Sequence, residues 1–293
     1  MKKSAAYYLL RLLTRPMQLF PLEFHYRISG LLYLLVYRLF QYRRNVVRSN
    51  LQNAFPEKSR EHLLQIEKDF YHGFCDMFVE TLYFTHLSYK KEAKRLKIEN
   101  LELVNELLDS GKSIIAVTGH FGNWEFMQLF INQLSVDVYF VYKRLSNPAF
   151  DQFYRELRSR AAVPLEMRQT FRTLLKKAQN KEQFAAYFIS DQRPVEKEIQ
   201  HWLTFLNQDT PVMLGTERIA QKVDAAVVYV ELSKIRRGYH SVHFELITTH
   251  AASSPKTEIT QKFMQLLENS VKKHPDQYFW THKRWKFQRN SNT

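Results

Sequence analysis

The sequence predicts an α/β domain, a largely parallel sheet flanked by helices, led by N-terminal helices that associate with a membrane. Three observations carry that prediction. From residue 100 onward, short apolar runs of strand character alternate with segments of helical period, the pattern of parallel strands joined by crossover helices. Residues 5–40 set blocks of Leu, Tyr and Phe between single arginines, which suits a segment lying in a membrane interface. The excess basic charge belongs to the two ends of the chain, and the stretch that carries the alternation is neutral.

Taken in order, the N-terminal apolar blocks run from Tyr7, Leu12, Met17 and Ile28, the last ending at Tyr37 between Arg27 and Arg38. As a helix that last block is about 15 Å long, half a bilayer core, so it is no ordinary transmembrane helix. Snorkelling of Arg27 and Arg38 would lengthen its apolar reach. No small-residue cleavage site follows it, so it is not read as a secretory signal. The plainer alternative is a helical pair packed on the domain; both hold if each face does one job. The expected organisation is a basic, apolar, membrane-associated region over 1–56 and an α/β domain over 57–293 with a helical lead-in over 57–90.

In that lead-in Leu63, Ile66, Phe70, Phe74, Met77 and Leu82 recur at helical spacing after Pro56. The lone Cys75 falls within this pattern and reads as a buried small hydrophobe. A single cysteine excludes an intramolecular disulfide framework and a cysteine-rich zinc site. Asn100–Leu108 is expected as a helix closed by Gly111, Ser113–Thr118 as a buried strand, Trp124–Leu134 as a helix and Val136–Tyr142 as a strand. Helices over Pro148–Arg160 and Arg168–Gln179, then a buried strand over Phe184–Ile189, follow. The remaining expectations are a helix over Pro211–Val223, paired strands over Ala226–Leu232 and His240–Ile247, a helix over Glu258–Lys272, and a short helical Tyr278–Trp285.

A formal charge of +14 asks for an anionic partner: nucleic acid, a membrane or a phosphorylated ligand. Its placement narrows the choice. Residues 1–60 hold 11 Lys and Arg against Glu23 and Glu57, and residues 272–293 hold six against Asp276. The middle balances 26 basic residues against 26 acidic ones, so the chain divides into +9, 0 and +5. Trp280, Trp285 and Phe287 interleave with basic residues, which is the one feature favouring a nucleic-acid binder. The neutral middle and the lack of a recognisable binding module argue against it.

Chemistry is concentrated in Thr118-Gly119-His120-Phe121-Gly122-Asn123-Trp124-Glu125, between a predicted strand and a predicted helix. Strand ends are where α/β sheets place ligands. Within one continuous helix His120 and Glu125 would diverge by about 140°. They meet only if His120 lies in the turn and Glu125 one turn inside the helix, a turn that Gly122 permits. The expected result is a His–Glu pair at a helix N-terminus: imidazole as general base, carboxylate fixing its tautomer, and backbone N–H groups free for an oxyanion.

These residues also carry a resemblance. GHFGNWE resembles the H-x4-D/E signature of membrane acyltransferases, and with Gly-Asn-Trp inside it is similar to the lipid A biosynthesis (lauroyl/myristoyl) acyltransferase family. Further blocks agree in order: Val141-Tyr142-Lys143-Arg144 with Asn147-Pro148 and Asp151, then Arg158; Ile189-Ser190-Asp191-Gln192; Phe205 into Thr210-Pro211; and Pro275-Asp276-Gln277-Tyr278 with Trp280, His282, Arg284, Trp285 and Lys286. The resemblance spans roughly residues 30–290. It implies an acyltransferase fold and transfer of a fatty acyl chain from acyl carrier protein, or from CoA, to a hydroxyl of a lipid A precursor, with no cofactor beyond the acyl donor. His120 would deprotonate the hydroxyl with Glu125 as its partner. Arg158 would sit near the thioester or oxyanion and Asp191 beside the site, while Gly122, Asn123, Lys143, Arg144 and Gln192 would bind substrate. The implied partners are acyl carrier protein, an anionic glycolipid acceptor and the membrane surface, with no nucleic acid, at the cytoplasmic face of a bacterial inner membrane. Taken without the resemblance, Arg158 reads equally as a solvated helix face and Asp191 as a strand-end cap. Two departures from the family pattern, Phe205-Leu206-Asn207 for Phe-Phe-Gly and Lys143-Arg144 at the second basic position, fall where acceptor or chain length would be chosen.

Other chemistries fail on residue pattern. Gly111-Lys112-Ser113 ends like a P-loop, but Glu106 occupies the position of its first glycine. No G-x-S-x-G is present for a serine nucleophile. His240 and His243, three apart in a predicted strand, face opposite sides, so no metal site is expected. The competing reading within the same chemistry is an acyltransferase for a glycerolipid, aminolipid or other glycolipid.

Overall fold

Apolar spacing builds the N-terminal part first. A computed structural model describes residues 5–85 and 89–289; Lys2, Lys3 and the 86–88 stretch of the expected lead-in helix lie outside them. Helices α1 (Ala5–Thr14), α2 (Leu22–Tyr33), α3 (Arg44–Ala54) and α4 (Arg60–Phe84) follow one another, with α2 running on into a π turn over Leu34–Leu39. α2 and this turn bury Leu22, Tyr26, Ser29, Tyr33 and Tyr37 at three- and four-residue spacing, one stripe of a helix, and α2 packs on α4. The opposite stripe leaves Leu31, Leu34, Leu39 and Phe40 exposed beside Arg27 and Arg38. No helix among the described residues is long and apolar enough to cross a membrane.

α4 begins where Ser59 caps it, its hydroxyl accepting from His62 N–H at 3.3 Å. It ends at Phe84, and a single turn, α5 (Tyr89–Glu92), follows. Cys75 is buried on α4, and burial pushes its thiol up to about 12. Three buried acids on this helix are all satisfied: Glu67 by Arg44 and Arg48, Asp76 by Ser29 and Arg237, Glu80 by Tyr26 and Asn123.

The sheet has seven strands: β1 (Leu96–Glu99), β2 (Ile114–Thr118), β3 (Asp137–Tyr142), β4 (Val163–Glu166), β5 (Phe184–Ile189), β8 (Ala226–Arg236) and β9 (Tyr239–Thr248), with β6 (His201–Phe205) and β7 (Gln208–Val212) forming a separate hairpin. Its order is β1-β9-β8-β2-β5-β3-β4, and every neighbouring pair is parallel except the β8–β9 hairpin. Helices α6 (Leu101–Asp109), α7 (Pro148–Arg158), α8 (Met167–Gln179), α9 (Gly215–Val223) and α10 (Glu258–Lys273) complete the element order. The mixed α/β architecture with a mostly parallel sheet is therefore as the alternation predicts.

Strand alternation divides the core. Ile115 and Val117 join Ile219, Leu267 and Val271 on one face, together with Tyr33, Tyr37, Val47 and Leu51 of the N-terminal helices. Ile114 and Tyr187 join Phe126, Met127 and Phe130 on the other. The β2 and β5 ends are level, Thr118 opposite Ile189. The chain leaving β2 covers one face, and the chain leaving β5 reaches α9 on the other. Such a divergence opens a crevice at the carboxyl ends of adjacent strands.

Three expectations need correction. Trp124–Leu134 is not an α-helix but two 3-10 turns, Trp124–Leu129 and Ile131–Gln133, interrupted at Phe130 with φ −126°. Pro211 does not open a helix; it sits in β7 opposite Trp202, and α9 starts only at Gly215. Tyr278–Trp285 is not helical: a 3-10 turn covers Pro275–Gln277, and Tyr278 bridges to Phe121. The short strands β1 and β4 and the β6–β7 hairpin have no counterpart in the expected elements.

Candidate active site

Backbone geometry fixes the loop after β2. A Cβ on Gly119 would lie 2.6 Å from Leu267 Cδ1, and one on Gly122 would lie 2.0 Å from the Leu232 carbonyl oxygen. Gly122 also has φ +61°, a conformation that side chains resist. Close approach of backbone thus requires glycine at 122, beyond the flexibility expected there, whereas a side chain at 119 would have to displace the buried Leu267 side chain. The loop is pinned from three sides: Thr118 Oγ1 donates to the Val230 carbonyl at 2.7 Å, Ser190 N–H to the Thr118 carbonyl at 2.9 Å, and Gly122 N–H to the Gln277 carbonyl at 2.9 Å. Phe279 N–H in turn donates to the His120 carbonyl at 3.0 Å. The C-terminal segment therefore forms a wall of the site.

His120 stands at the crevice. Its Nδ1 lies 2.5 Å from Asp191 Oδ1, on the loop after β5. Asp191 is 2% exposed. Burial alone raises its carboxyl, but the neighbouring His120, the hydrogen bond to it, and Arg284 together hold it below the usual carboxylate range. A carboxylate only accepts, so Nδ1 carries the proton and Nε2 keeps its lone pair. That lone pair accepts from the Gln192 carboxamide, Nε2 to Nε2 3.2 Å. Trp124 meets the imidazole edge-on at 5.0 Å and Phe279 lies at 5.9 Å, which limits water on two sides.

Glu125 is not the partner of His120. It is buried and faces the other way: Arg158 Nη2 donates to Oε1 at 2.7 Å and Gln128 Nε2 to Oε2 at 2.7 Å. Its own N–H donates to Asn123 Oδ1 at 3.1 Å, so that donor is capped and not free for an oxyanion. The physical reason is the 3-10 turn. Its tighter winding and the Asn123 cap rotate Glu125 to the face that meets α7, and the vacant place beside Nδ1 is taken by an acid 71 residues later. Arg158 is far from a solvated helix face: its guanidinium lies over Phe140 at 4.4 Å and is mostly buried.

Asn123 is an internal strut, buried and donating to Glu80 Oε2 at 2.8 Å. Burial raises the Glu80 carboxyl, which favours the neutral acid. Lys143 lines a cavity of about 240 Å³ with Met77, Phe78, Trp124, Glu125 and Arg158. Arg144 is exposed and is not among the residues lining it. Trp124 is shared between this chamber and His120. Phe205-Leu206-Asn207 lies away from it: Leu206 and Asn207 make the β6–β7 turn, Leu206 N–H donating to Glu268 and Asn207 Nδ2 to the Ala54 carbonyl.

The residue pattern did not single out Glu80, and it placed Tyr278, His282 and Arg284 in the C-terminal block of the resemblance without giving them a role in the site. Tyr278 is fully buried, its hydroxyl pushed well above the usual range by burial and by the Asp191 charge. Burial takes the His282 imidazole down to about 4. The aromatic residues that suggested nucleic acid are built into the fold: Trp280 is 0% exposed, and Trp285 Nε1 donates to Thr210 Oγ1 at 2.7 Å. Among the described residues no group of three or more His, Cys, Asp or Glu is placed to hold a metal ion.

The model of the bacterial lipid A biosynthesis acyltransferases matches residues 2–287. The chain belongs to that family. The match runs from the N-terminal helices through the last wall of the site, so the acyltransferase has both strand-end loops and the C-terminal segment within the matched region. A search of curated proteins finds no significant match.

Proposed function

We propose that this acyltransferase moves a fatty acyl chain from an acyl carrier protein thioester to a hydroxyl of a lipid A precursor, with His120 as general base and Asp191 as its partner. The observation that carries this reading is the imidazole held between the Asp191 carboxylate at Nδ1 and the Gln192 amide at Nε2. The acceptor hydroxyl replaces the Gln192 amide at Nε2 and gives up its proton there. Its oxygen attacks the thioester carbonyl, the C–O ester bond forms, the C–S bond breaks, and the proton passes from Nε2 to the departing sulfur. The Asp191 charge stabilises the imidazolium between those two transfers. Arg158, tied to Glu125 on the chamber wall, and Lys143 beside it offer positive charge to the carbonyl or to anionic acceptor groups.

The enzyme works on the cytoplasmic face of a bacterial inner membrane. The exposed apolar stripe of α2 and its basic flanks support membrane docking, and no resident cofactor is invoked. The test is acyl transfer by purified protein with defined acyl carrier protein and CoA donors, wild type beside His120→Ala. Mass spectrometry of lipids from a strain lacking the protein names the acceptor. Unchanged lipid A beside an altered glycerolipid, aminolipid or glycolipid would move the acceptor to that class. Wild-type rates in His120→Ala would end the base assignment.

A further inference from the structure

Glu80 is buried on a stretch of α4 that also buries Val79, Tyr83 and Phe84. A leucine would suit such a stretch, and an acid there costs free energy unless its oxygens are satisfied. Each oxygen of Glu80 has a donor: Tyr26 of α2 donates to Oε1 at 2.8 Å, and Asn123 Nδ2 donates to Oε2 at 2.8 Å. One side chain thus joins the helix that carries the exposed apolar stripe to the loop after β2. Between α4 and that loop lies a cavity of about 40 Å³, lined by Glu80, Gly122 and Asn123 among others. The hydrogen bond from Asn123 therefore crosses a gap that packing leaves open.

Donor directions leave the buried Asn123 amide one orientation. Its Nδ2 only donates and takes Glu80 Oε2, while its Oδ1 only accepts and takes the Glu125 N–H at 3.1 Å. Turning the amide over would face its NH2 with that N–H and lose the cap. The cap opens the 3-10 turn on which Trp124 stands edge-on to His120 at 5.0 Å and Glu125 meets Arg158 at 2.7 Å. We propose that Glu80 is a positioning residue of the reaction: it fixes the Asn123 amide and through it holds Trp124 against His120 and Glu125 against Arg158. This rests on the reading of the His120 crevice as the site of acyl transfer. α2 offers an internal comparison. Its Ser29 donates to the buried Asp76 of α4 at 2.5 Å, and Asp76 passes on to Arg237 at 2.6 Å. Both hydrogen bonds tie α2 to α4, and the one to Glu80 runs on to the site.

The test is kcat/KM for acyl transfer, measured well below the melting temperature of each variant. Glu80→Met offers Asn123 no acceptor and should lower kcat/KM about 10- to 100-fold. Glu80→Gln can turn its carbonyl to Asn123 and its NH2 to the Tyr26 oxygen, so it should stay within about threefold of wild type. Residues that act as one unit do not add, so Glu80→Met combined with Asn123→Ala should fall no further than Asn123→Ala alone. Ser29→Ala should melt lower and keep the wild-type kcat/KM. Glu80→Leu, likewise without an acceptor, stands in if Glu80→Met does not fold. Wild-type kcat/KM in the acceptor-free variant overturns the proposal, as does an equal loss in Glu80→Gln or an additive loss in the double variant. An equal loss in Ser29→Ala makes Glu80 a mere tie between helices and overturns it too. An inactive His120→Ala beside an unmoved Glu80→Met defeats this proposal alone, whereas a fully active His120→Ala defeats the reading of the site beneath it.

Discussion

Asp191→Asn separates the two acids of the site. Asparagine keeps the shape of the side chain but removes the charge that stabilises a protonated His120. With Nδ1 and Oδ1 2.5 Å apart, the charge centres of imidazolium and carboxylate are about 4 Å apart. At an effective dielectric of about 20 their attraction is roughly 4 kcal/mol, and the imidazole's partial exposure trims this to about 3. At about 1.4 kcal/mol per decade, kcat/KM should fall roughly 10²- to 10³-fold. An asparagine that turns its amide toward Nδ1 forces the proton onto Nε2 and deepens the loss. Glu125→Gln acts elsewhere. It leaves the Arg158 guanidinium without its counter-charge, so its main signature is a stability loss of about 3 kcal/mol or more. The assay is initial-rate acyl transfer from a radiolabelled thioester, paired with thermal melts of both variants. Asp191→Asn within threefold of wild type, beside a well-folded and inactive Glu125→Gln, would restore the His120–Glu125 pair and refute the reasoning.

Gly122→Ala meets the Leu232 carbonyl and an unfavourable φ together, so it should lose at least about 2 kcal/mol of stability in urea melts and most of its activity. His240 is buried neutral, and burial, with Lys234 nearby, takes it down to about 3. The unfolded chain therefore binds that proton first, and stability falls as pH drops from about 6.5 toward 3. His240→Met should remove about 3 kcal/mol of that loss by pH 4, read from urea unfolding at several pH values; an unchanged slope would sink the argument. Vesicle binding should survive 1 M salt but fall about tenfold for each of Leu31→Glu and Phe40→Glu, measured by flotation at equal melting temperature.

The core elements were legible because period and burial coincide. Ile114–Thr118 and Phe184–Ile189 are short apolar runs between turn residues, and both are central parallel strands. β1 and β4 have four residues each at the sheet edge, too short for a period to register. The β6–β7 hairpin carried a weaker signal. Leu206 and Asn207 both have positive φ, the geometry of a two-residue hairpin turn, and asparagine tolerates it where the family block has glycine. At the site, spacing located His120 but could not choose its partner. Glu125 was favoured by nearness in sequence, while Asp191 arrives through the register that sets Thr118 opposite Ile189. Only tertiary structure supplies that choice.

The charge distribution also changes meaning once side chains are placed. Arg44 and Arg48 belong to the basic N-terminal set, yet both turn inward to buried Glu67 at 3.0 and 2.8 Å. Arg43 donates to the Thr281 carbonyl, and Arg284 is enclosed. Part of the +9 thus ties the N-terminal helices to α4 and to the C-terminal segment. What remains beside the exposed apolar stripe is chiefly Arg15, Arg27 and Arg38. At about 1 kcal/mol each near an anionic leaflet, these three supply roughly 3 kcal/mol, and salt removes most of it. Leu19, Leu31, Leu39 and Phe40 are 76%, 63%, 67% and 71% exposed. Burying side chains of this kind contributes about 1.5–3 kcal/mol each, so even partial insertion of four outweighs the charges. Apolar contact should therefore hold the enzyme at the bilayer while the arginines set its orientation.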